Sequence, residues 1–408
     1  MNFSAISECR VCGSSNLEAI LSLGDQVLSG VFPLQGERDP IKGPLQLVLC
    51  ATCTLVQLRH SFPAEIMYGD NYGYRSGLNT SMIKHLTNKA RTLFEKYGLN
   101  QNSVVLDIGS NDGTLLNELT SSCDNLYGMD PTSKKFAEFY QDGIVRIETF
   151  FTKDAFLSLA KPADLIFSIS MFYDLEDPIS FVRDVSDCLT KEGIWHFEMS
   201  YLPSMIDTNS FDTICHEHVE YYSLSSIEYI LKHAGMKVVD IELNEINGGS
   251  IAVTAAKVES SHASKVLVEW LRQSEIRRFG NFKSELAQFA KRVEVHQQHL
   301  LSLLQNIKNG GASIWGVGAS TKGNVLLQSC GIDLNLIDGI ADVNPFKYGR
   351  ETPGTRIPIK SEEEMLIAKP DYAIVLPWHF KSTIIQRSEQ FTAQGGKLIF
   401  PLPMISFF

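Results

Sequence analysis

Three groups of residues have the types and spacing to do chemistry. Cys9-Arg-Val-Cys12 and Cys50-Ala-Thr-Cys53 are two C-x-x-C pairs. Each pair sets two thiolates on one tight turn, and two such turns close a tetrahedral site with no open position for water. That is the pattern of a structural zinc ion. Free thiols or a redox pair are the alternative, and two matching pairs in one short module favour the metal. The second group is D-I-G-S-N-D-G, running from Asp107 to Gly113 out of an apolar stretch and into a helical one. Glycines let a backbone approach a ligand closely, beside the positive end of a helix. A phosphate-binding dinucleotide loop is the rival. The third glycine of that fingerprint is missing, however, and Asp107 and Asp112 would repel a pyrophosphate. A cofactor carrying a sulfonium and an ammonium, S-adenosylmethionine (SAM), suits the acidic setting. Asp107, Gly109, Asn111 and Asp112 are therefore candidate cofactor contacts, with Asp130 for the ribose hydroxyls. Phe150, in Glu148-Thr-Phe-Phe151, is the candidate for the adenine, although both phenylalanines also suit a core. Ser170, after the apolar run 165–169, completes the set.

The third group is F-D-T-I-C-H-E-H-V-E-Y-Y, from Phe211 to Tyr222. Read as extended chain, it puts His216 and His218 on one face and Glu217 on the other. H-E-H lacks the i, i+4 spacing of the H-E-x-x-H zinc motif, so a catalytic metal is not indicated. So many ionisable groups in one stretch mark an active-site candidate rather than packed core histidines.

The surrounding pattern supplies elements to hold these groups. A helical stretch covers 79–97. Strand-like runs at 103–108, 126–129, 165–169 and 194–198 alternate with helical ones, which predicts βα units around a mainly parallel sheet. A helix at 225–235 and a late strand at 251–256 follow. From 264 to 308, Phe282, Leu286, Phe289, Val293, Leu300, Leu304 and Ile307 recur at helical steps, as in a packed connecting helix. A second α/β pattern begins after Gly310-Gly311, with apolar runs at 312–320, 336–340 and 372–376. The expected division is a zinc-binding module over 1–75, a Rossmann-like class I SAM methyltransferase core over 76–260, connecting helices over 261–308, and a smaller C-terminal α/β domain over 309–408.

Bulk composition narrows the partners. The 408 residues carry a net charge of −11 with no Lys/Arg cluster, which argues against a nucleic-acid backbone. No run of 18 apolar residues and no charged-then-apolar leader is present, so neither a membrane partner nor a secretory signal is expected. Cys123, Cys188, Cys215 and Cys330 are scattered singly, as in a protein of the reducing cytoplasm. A monomer or weak homodimer is expected.

Taken in order, the C-x-x-C pairs, Tyr-Gly-Tyr-Arg-Ser ending at Ser76, D-I-G-S-N-D-G, H-E-H, Asn247-Gly-Gly-Ser250 and the G-V-G-A-S-T-K-G-N segment from Gly316 to Asn324 form a pattern. It resembles the nucleotide-sugar C-methyltransferases, which build branched deoxysugars such as tetronitrose and mycarose, over almost the whole chain. The resemblance implies SAM, a structural zinc, and methylation at carbon 3 beside a C4 ketone of a nucleotide sugar held with help from the C-terminal domain. It makes His218 the base, places Glu217 and Tyr74 beside the substrate, and adds His216 to the catalytic set. Tyr222, Asn247, Ser320, Lys322 and Asn324 become candidate substrate contacts. Two positions depart from the family pattern. Cys215 stands where a tyrosine is expected, and Asp174 where a histidine follows the fourth strand.

A ketone makes the neighbouring C–H acidic enough for a neutral imidazole to remove, and the enolate carbon can then attack a sulfonium methyl in line. Two other readings stay open. One is a SAM enzyme acting on a hydroxyl or amine. The other is a dinucleotide-dependent oxidoreductase using the loop at Gly316 to Gly318, against which stand Lys322 and the want of a matching acidic residue.

Overall fold

The computed structural model describes residues 3–67 and 74–408. At its centre is a seven-stranded sheet: β1 (Val104–Ile108), β2 (Asn125–Met129), β3 (Ile144–Ile147), β4 (Ala163–Ile169), β5 (Leu189–Ser200), β6 (Met236–Asn244) and β7 (Ser250–Lys257). The order is β3-β2-β1-β4-β5-β7-β6. β1 to β5 pair in parallel, and β7 runs antiparallel to both its neighbours. β1 and β4 are almost wholly buried, as expected of apolar strands covered by helices on both faces. The strand order reverses between β1 and β4, and ligands of such sheets sit in the crevice beyond the carboxyl ends at that point. This is the class I methyltransferase arrangement predicted above, with β3 and β6 added to the strands visible in the sequence.

The N-terminal module is an antiparallel sheet of Leu17–Val27, Lys42–Cys50 and Val56–Leu58, joined by a fourth strand, Glu220–Tyr221. That strand follows His218 directly, so the module expected over 1–75 completes its sheet with residues from the middle of the chain. The connecting segment forms two helices, Val266–Arg278 and Phe282–Asn309. On the second, Leu286, Phe289, Val293, Leu300 and Leu304 are buried along one stripe. They join a core shared by the N-terminal strands, residues 202–221 and the C-terminal sheet.

The C-terminal sheet has six strands, in the order Ile359–Lys360, Ile340–Ala341, Ile314–Val317, Tyr372–Val375, Lys397–Phe400 and Ser406–Phe407. All but the last pair in parallel. Within the apolar run 336–340 only Ile340 is strand. The amides of Leu336 and Ile337 turn back onto the Asp333 carbonyl, so these residues meet the core from a turn. Among the described residues, no helix is long and apolar enough to cross a membrane.

Candidate active site and zinc knuckle

Cys9, Cys12, Cys50 and Cys53 converge, their sulfurs all lying within 4.8 Å of one another. Each C-x-x-C turn is closed by a backbone bond to its first cysteine's carbonyl, from Gly13 and from Thr54, and both of these residues have left-handed φ, 69° and 61°. Tetrahedral zinc with bonds of about 2.3 Å spaces its sulfurs about 3.8 Å apart. The Cys9–Cys53 and Cys12–Cys50 separations of 3.6 and 3.5 Å fit that ion. Buried Gln57 donates to the Cys9 sulfur at 3.1 Å and accepts from the Arg10 amide, an outer-shell contact of the kind that orients a ligand.

The glycine turn leaves β1 and enters a single helical turn, Thr114–Asn117. Gly109 has φ 79°, and a Cβ there would stand 3.1 Å from Met171. Gly113 has φ 74°, and its Cβ would fall 2.8 Å from the Tyr140 ring. The Tyr140 hydroxyl donates to the Asn111 carbonyl at 3.0 Å and pairs with Ser110 Oγ at 2.8 Å, bracing the turn. Asp130 ends β2. Its carboxylate accepts from the Asn111 amide at 2.9 Å and from the Thr132 amide and hydroxyl at 2.6 Å each. Burial, together with the charges of Asp130 and Asp112, holds the Asp107 carboxyl well above the usual range. Three clustered acids, with the Arg75 guanidinium 3.9 Å from Asp112 the one basic side chain paired to them among the described residues, suit a cationic ligand. The donor set and the glycine cradle therefore fit SAM. Phe151 packs against Phe181, whereas Phe150 is exposed beyond β3.

Tyr74 reaches the same turn from outside the sheet. Its carbonyl accepts from Asn111 Nδ2 at 3.3 Å, while the Ser76 and Gly77 amides donate to Asn111 and Asp112 at 3.0 and 2.8 Å. The side chain of Tyr74 is exposed. Tyr72 and Gly73 of the same motif lie outside the described residues.

Residues 170–174, after β4, connect the cofactor turn to the H-E-H segment. Met171 touches Gly109, and the Tyr173 ring lies 4.1 Å from that of His218. His218 Nδ1 lies 2.9 Å from the Thr213 carbonyl. A carbonyl only accepts, so Nδ1 carries the proton and Nε2 keeps its lone pair. Desolvation, reinforced by the Lys322 charge, pushes this imidazole down to about 3. Lys322 comes from the first turn of the C-terminal helix Thr321–Cys330 and donates to the Asn247 carbonyl at 2.5 Å. Asn247 in turn lies 3.5 Å from Ser170 Oγ. Gly109, Met171, Tyr173 and His218 thus form one run of contacts at the carboxyl ends of β1 and β4, and Lys322, Asn247 and Ser170 form a second. Glu217 is buried beside Gly30 and Thr321, with Oε2 unpartnered among the described residues, and burial raises its carboxyl. Asp174 ends the turn Phe172–Asp174 that carries Tyr173 to His218.

Other expected residues are turned elsewhere. The H-E-H segment is a bend rather than extended chain, with the His218 amide bonded to the Cys215 carbonyl, so His216 and His218 do not share a face. His216 is buried in the N-terminal module, edge-on to Phe62 at 4.6 Å and 3.4 Å from the Gly43 carbonyl. Burial pushes it down to about 4. Tyr222 is fully buried, stacked on Phe172 at 5.1 Å with its hydroxyl on Glu220, and does not line the crevice. Asn324, also fully buried, donates to the Ser29 carbonyl at 2.7 Å and ties the C-terminal helix to the N-terminal module. Ser320 caps that helix by accepting from the Gly323 amide at 3.0 Å. The acidic residue missed at the C-terminal loop is Asp342, just after Ile340–Ala341, whose carboxylate accepts from the Ala319 and Asn344 amides at 2.7 Å each. Tyr140, Tyr173, Asp212 and Trp378 also shape the site without a local signature in the sequence. Trp378 Nε1 donates to Asp212 at 2.7 Å, closing the C-terminal domain onto the methyltransferase core.

Three family models match successive parts of the chain: a zinc binding domain over residues 9–68, a methyltransferase domain over 82–241, and a C-methyltransferase C-terminal domain over 245–403. The C-methyltransferase NovU of Streptomyces niveus is 31% identical over 405 residues, covering 98% of this chain and 96% of that protein. Solved structures of methyltransferases align with less than half of this chain. An S-adenosylmethionine-dependent methyltransferase from Clostridium acetobutylicum has 14% identity and a TM-score of 0.34, covering 43% of this chain and 92% of its own. Magnesium protoporphyrin IX methyltransferase from Synechocystis has 14% identity and a TM-score of 0.34, covering 47% and 91%.

Proposed function

Since the chain belongs to the SAM-dependent C-methyltransferase family, with a zinc-binding module at its N-terminus, we propose that its acceptor is carbon 3 of a 4-keto nucleotide sugar, methylated through an enolate. One observation carries this reading. His218 is held by Thr213 as the Nδ1–H tautomer, which leaves the Nε2 lone pair free to take a proton beside the Tyr173 ring, with the Lys322 side chain near enough to act on it. A base for a carbon acid needs both that lone pair and a positive field for the charge that develops.

SAM, when bound, supplies an electrophilic methyl group. The chain's own residues do the rest. Gly109 and Gly113 give the turn its left-handed φ; Asp107 and Asp112 would face the cofactor's positive charges, Asp130 would accept from its ribose, and Phe150 would lie against its adenine. His218 removes the proton from carbon 3. Glu217 and Tyr74 orient the sugar, and Asp174 contacts one of its hydroxyls. Ser320 and the first turn of the helix Thr321–Cys330 face the nucleotide's anionic part, while Asn247 holds Lys322 for the keto-oxygen side of the sugar.

The test follows solvent deuterium into thymidine and uridine diphosphate 4-keto-6-deoxyhexoses without SAM. Wild type should exchange the proton at carbon 3. His218→Ala should slow exchange and turnover by ~10²–10⁴ while SAM affinity stays nearly unchanged. Equal exchange in both proteins, or methylation that survives the substitution, puts the base elsewhere and opens the hydroxyl or amine reading.

A further inference from the structure

The turn Trp378–Phe380, which follows the strand Tyr372–Val375, is fixed at three points. Pro377 lies 2.6 Å from where a Cβ on Gly318 would stand, so only a glycine with φ 82° admits it. The Trp378 ring lies 3.1 Å from the corresponding point on Gly248. The indole N–H is held by Asp212 at 2.7 Å. Gly248 adjoins Asn247, whose carbonyl holds Lys322, so this turn closes the crevice from the C-terminal side.

Between Trp378 and Phe380 stands His379. Its ring packs on Phe380 at 4.3 Å, which accounts for its carbon atoms only. Its Nδ1 is buried and has no hydrogen-bond partner among the described residues. A buried, unpaired polar atom costs about 1–3 kcal/mol, and a turn this firmly built does not need one for its own stability. Burial, with Lys322 adding to it, holds the ring neutral. Lys322 acts in the same way on His218, so both imidazoles feel the same lysine. His218 spends its Nδ1–H on a backbone carbonyl. The Nδ1 of His379 is uncommitted and is a donor in the tautomer that carries its proton there.

We propose that His379 is a further catalytic contact, its Nδ1–H donating a hydrogen bond to the keto oxygen of the substrate as the neighbouring carbon loses its proton to His218. This rests on the enolate reading above. No proton is transferred by His379. The C–H electron pair moves into the enolate, the negative charge collects on oxygen, and the donor meets it beside Lys322.

His379→Phe keeps a ring against Phe380 and Trp378 and removes both nitrogens, whereas His379→Asn keeps an N–H near the position of Nδ1. With the same keto sugars, His379→Phe should slow exchange at carbon 3 and kcat by about 10²-fold, the usual loss of one oxyanion donor. SAM affinity should stay within about twofold, and His379→Asn should recover about tenfold of the lost rate. Exchange at the wild-type rate in His379→Phe overturns the proposal. So does a rise in KM with kcat and exchange unchanged, which would place His379 on a remote group such as the diphosphate. Absence of exchange in wild type itself removes the enolate reading, and this inference with it.

Discussion

Gly113→Ala puts one methyl group where the cofactor turn has no room for it. At φ 74° an L-residue costs about 1–2 kcal/mol relative to glycine. The new Cβ would lie 2.8 Å from the Tyr140 ring, a distance that forces the ring to move. Moving it breaks the bonds from the Tyr140 hydroxyl to Ser110 and Asn111, at about 0.5–1.5 kcal/mol each. The sum is about 2–5 kcal/mol. The unliganded turn can shed this strain by opening, so the cost reappears when SAM requires the closed shape. At 1.4 kcal/mol per tenfold, the dissociation constant for SAM should rise by about 30-fold or more. Titration calorimetry at 25 °C measures it directly. Tyr140→Phe removes the hydroxyl bonds alone and should weaken binding by about 5- to 100-fold. Gly113→Ala combined with Tyr140→Ala should lose less than the two single changes added, because the second relieves the clash made by the first. A Gly113→Ala protein that binds SAM within threefold of wild type would refute this account of the turn.

Two further outcomes are expected. Metal analysis should find one zinc per chain, and Cys9→Ser should lose it together with substrate exchange while SAM affinity stays within about twofold, because Gln57 joins the Cys9 sulfur to the strand Glu220–Tyr221 that seats His218; full turnover in folded, zinc-free protein would break that link. A histidine pushed down to about 3 stays unprotonated as pH falls through the ordinary imidazole value near 6.5, so kcat/KM should stay flat from pH 8 to pH 5 as far as His218 decides it; a fall with an apparent pKa near 6.5 would mean a solvated base.

The cysteine pairs and the glycine turn were legible in the sequence because their geometry is local. Two cysteines on one turn converge whatever follows, and a strand leading into D-I-G-S-N-D-G can be placed from its own apolar run. The H-E-H segment was legible as chemistry but not as geometry. Alternation of side chains holds only for extended chain, and the bond from the His218 amide to the Cys215 carbonyl bends the segment so that His216 enters another module. Tyr222 carries a phenol that reads as a substrate contact, yet its ring fills a stack on Phe172, and packing outweighed the hydroxyl. Asn324 sits in a motif that suggests ligand contact, and the structure uses it, fully buried, to join helix to module. Tyr140, Trp378 and His379 reach the site only through tertiary contact, which no spacing within the chain discloses.

The shared core has a consequence for synthesis of the chain. The side chain of Gln328 pairs with both the amide and the carbonyl of Val27, at 2.8 and 3.0 Å, and Arg350 bonds the Phe32 carbonyl at 2.8 Å. The N-terminal sheet also lacks its last strand until Glu220–Tyr221 has been made. At about 5–20 residues per second, the first strands leave the ribosome some 15–60 s before residue 350 follows them. During that interval Leu45, Leu47, Val56 and Leu58, all fully buried in the finished protein, have one another but not the later-made part of their core. Contacts so distant along the chain also fold slowly once it is released. Zinc can close its two turns as soon as Cys53 emerges, so the metal can add to the pairing of the first three strands in holding the nascent module in shape while the rest of its core is still being translated.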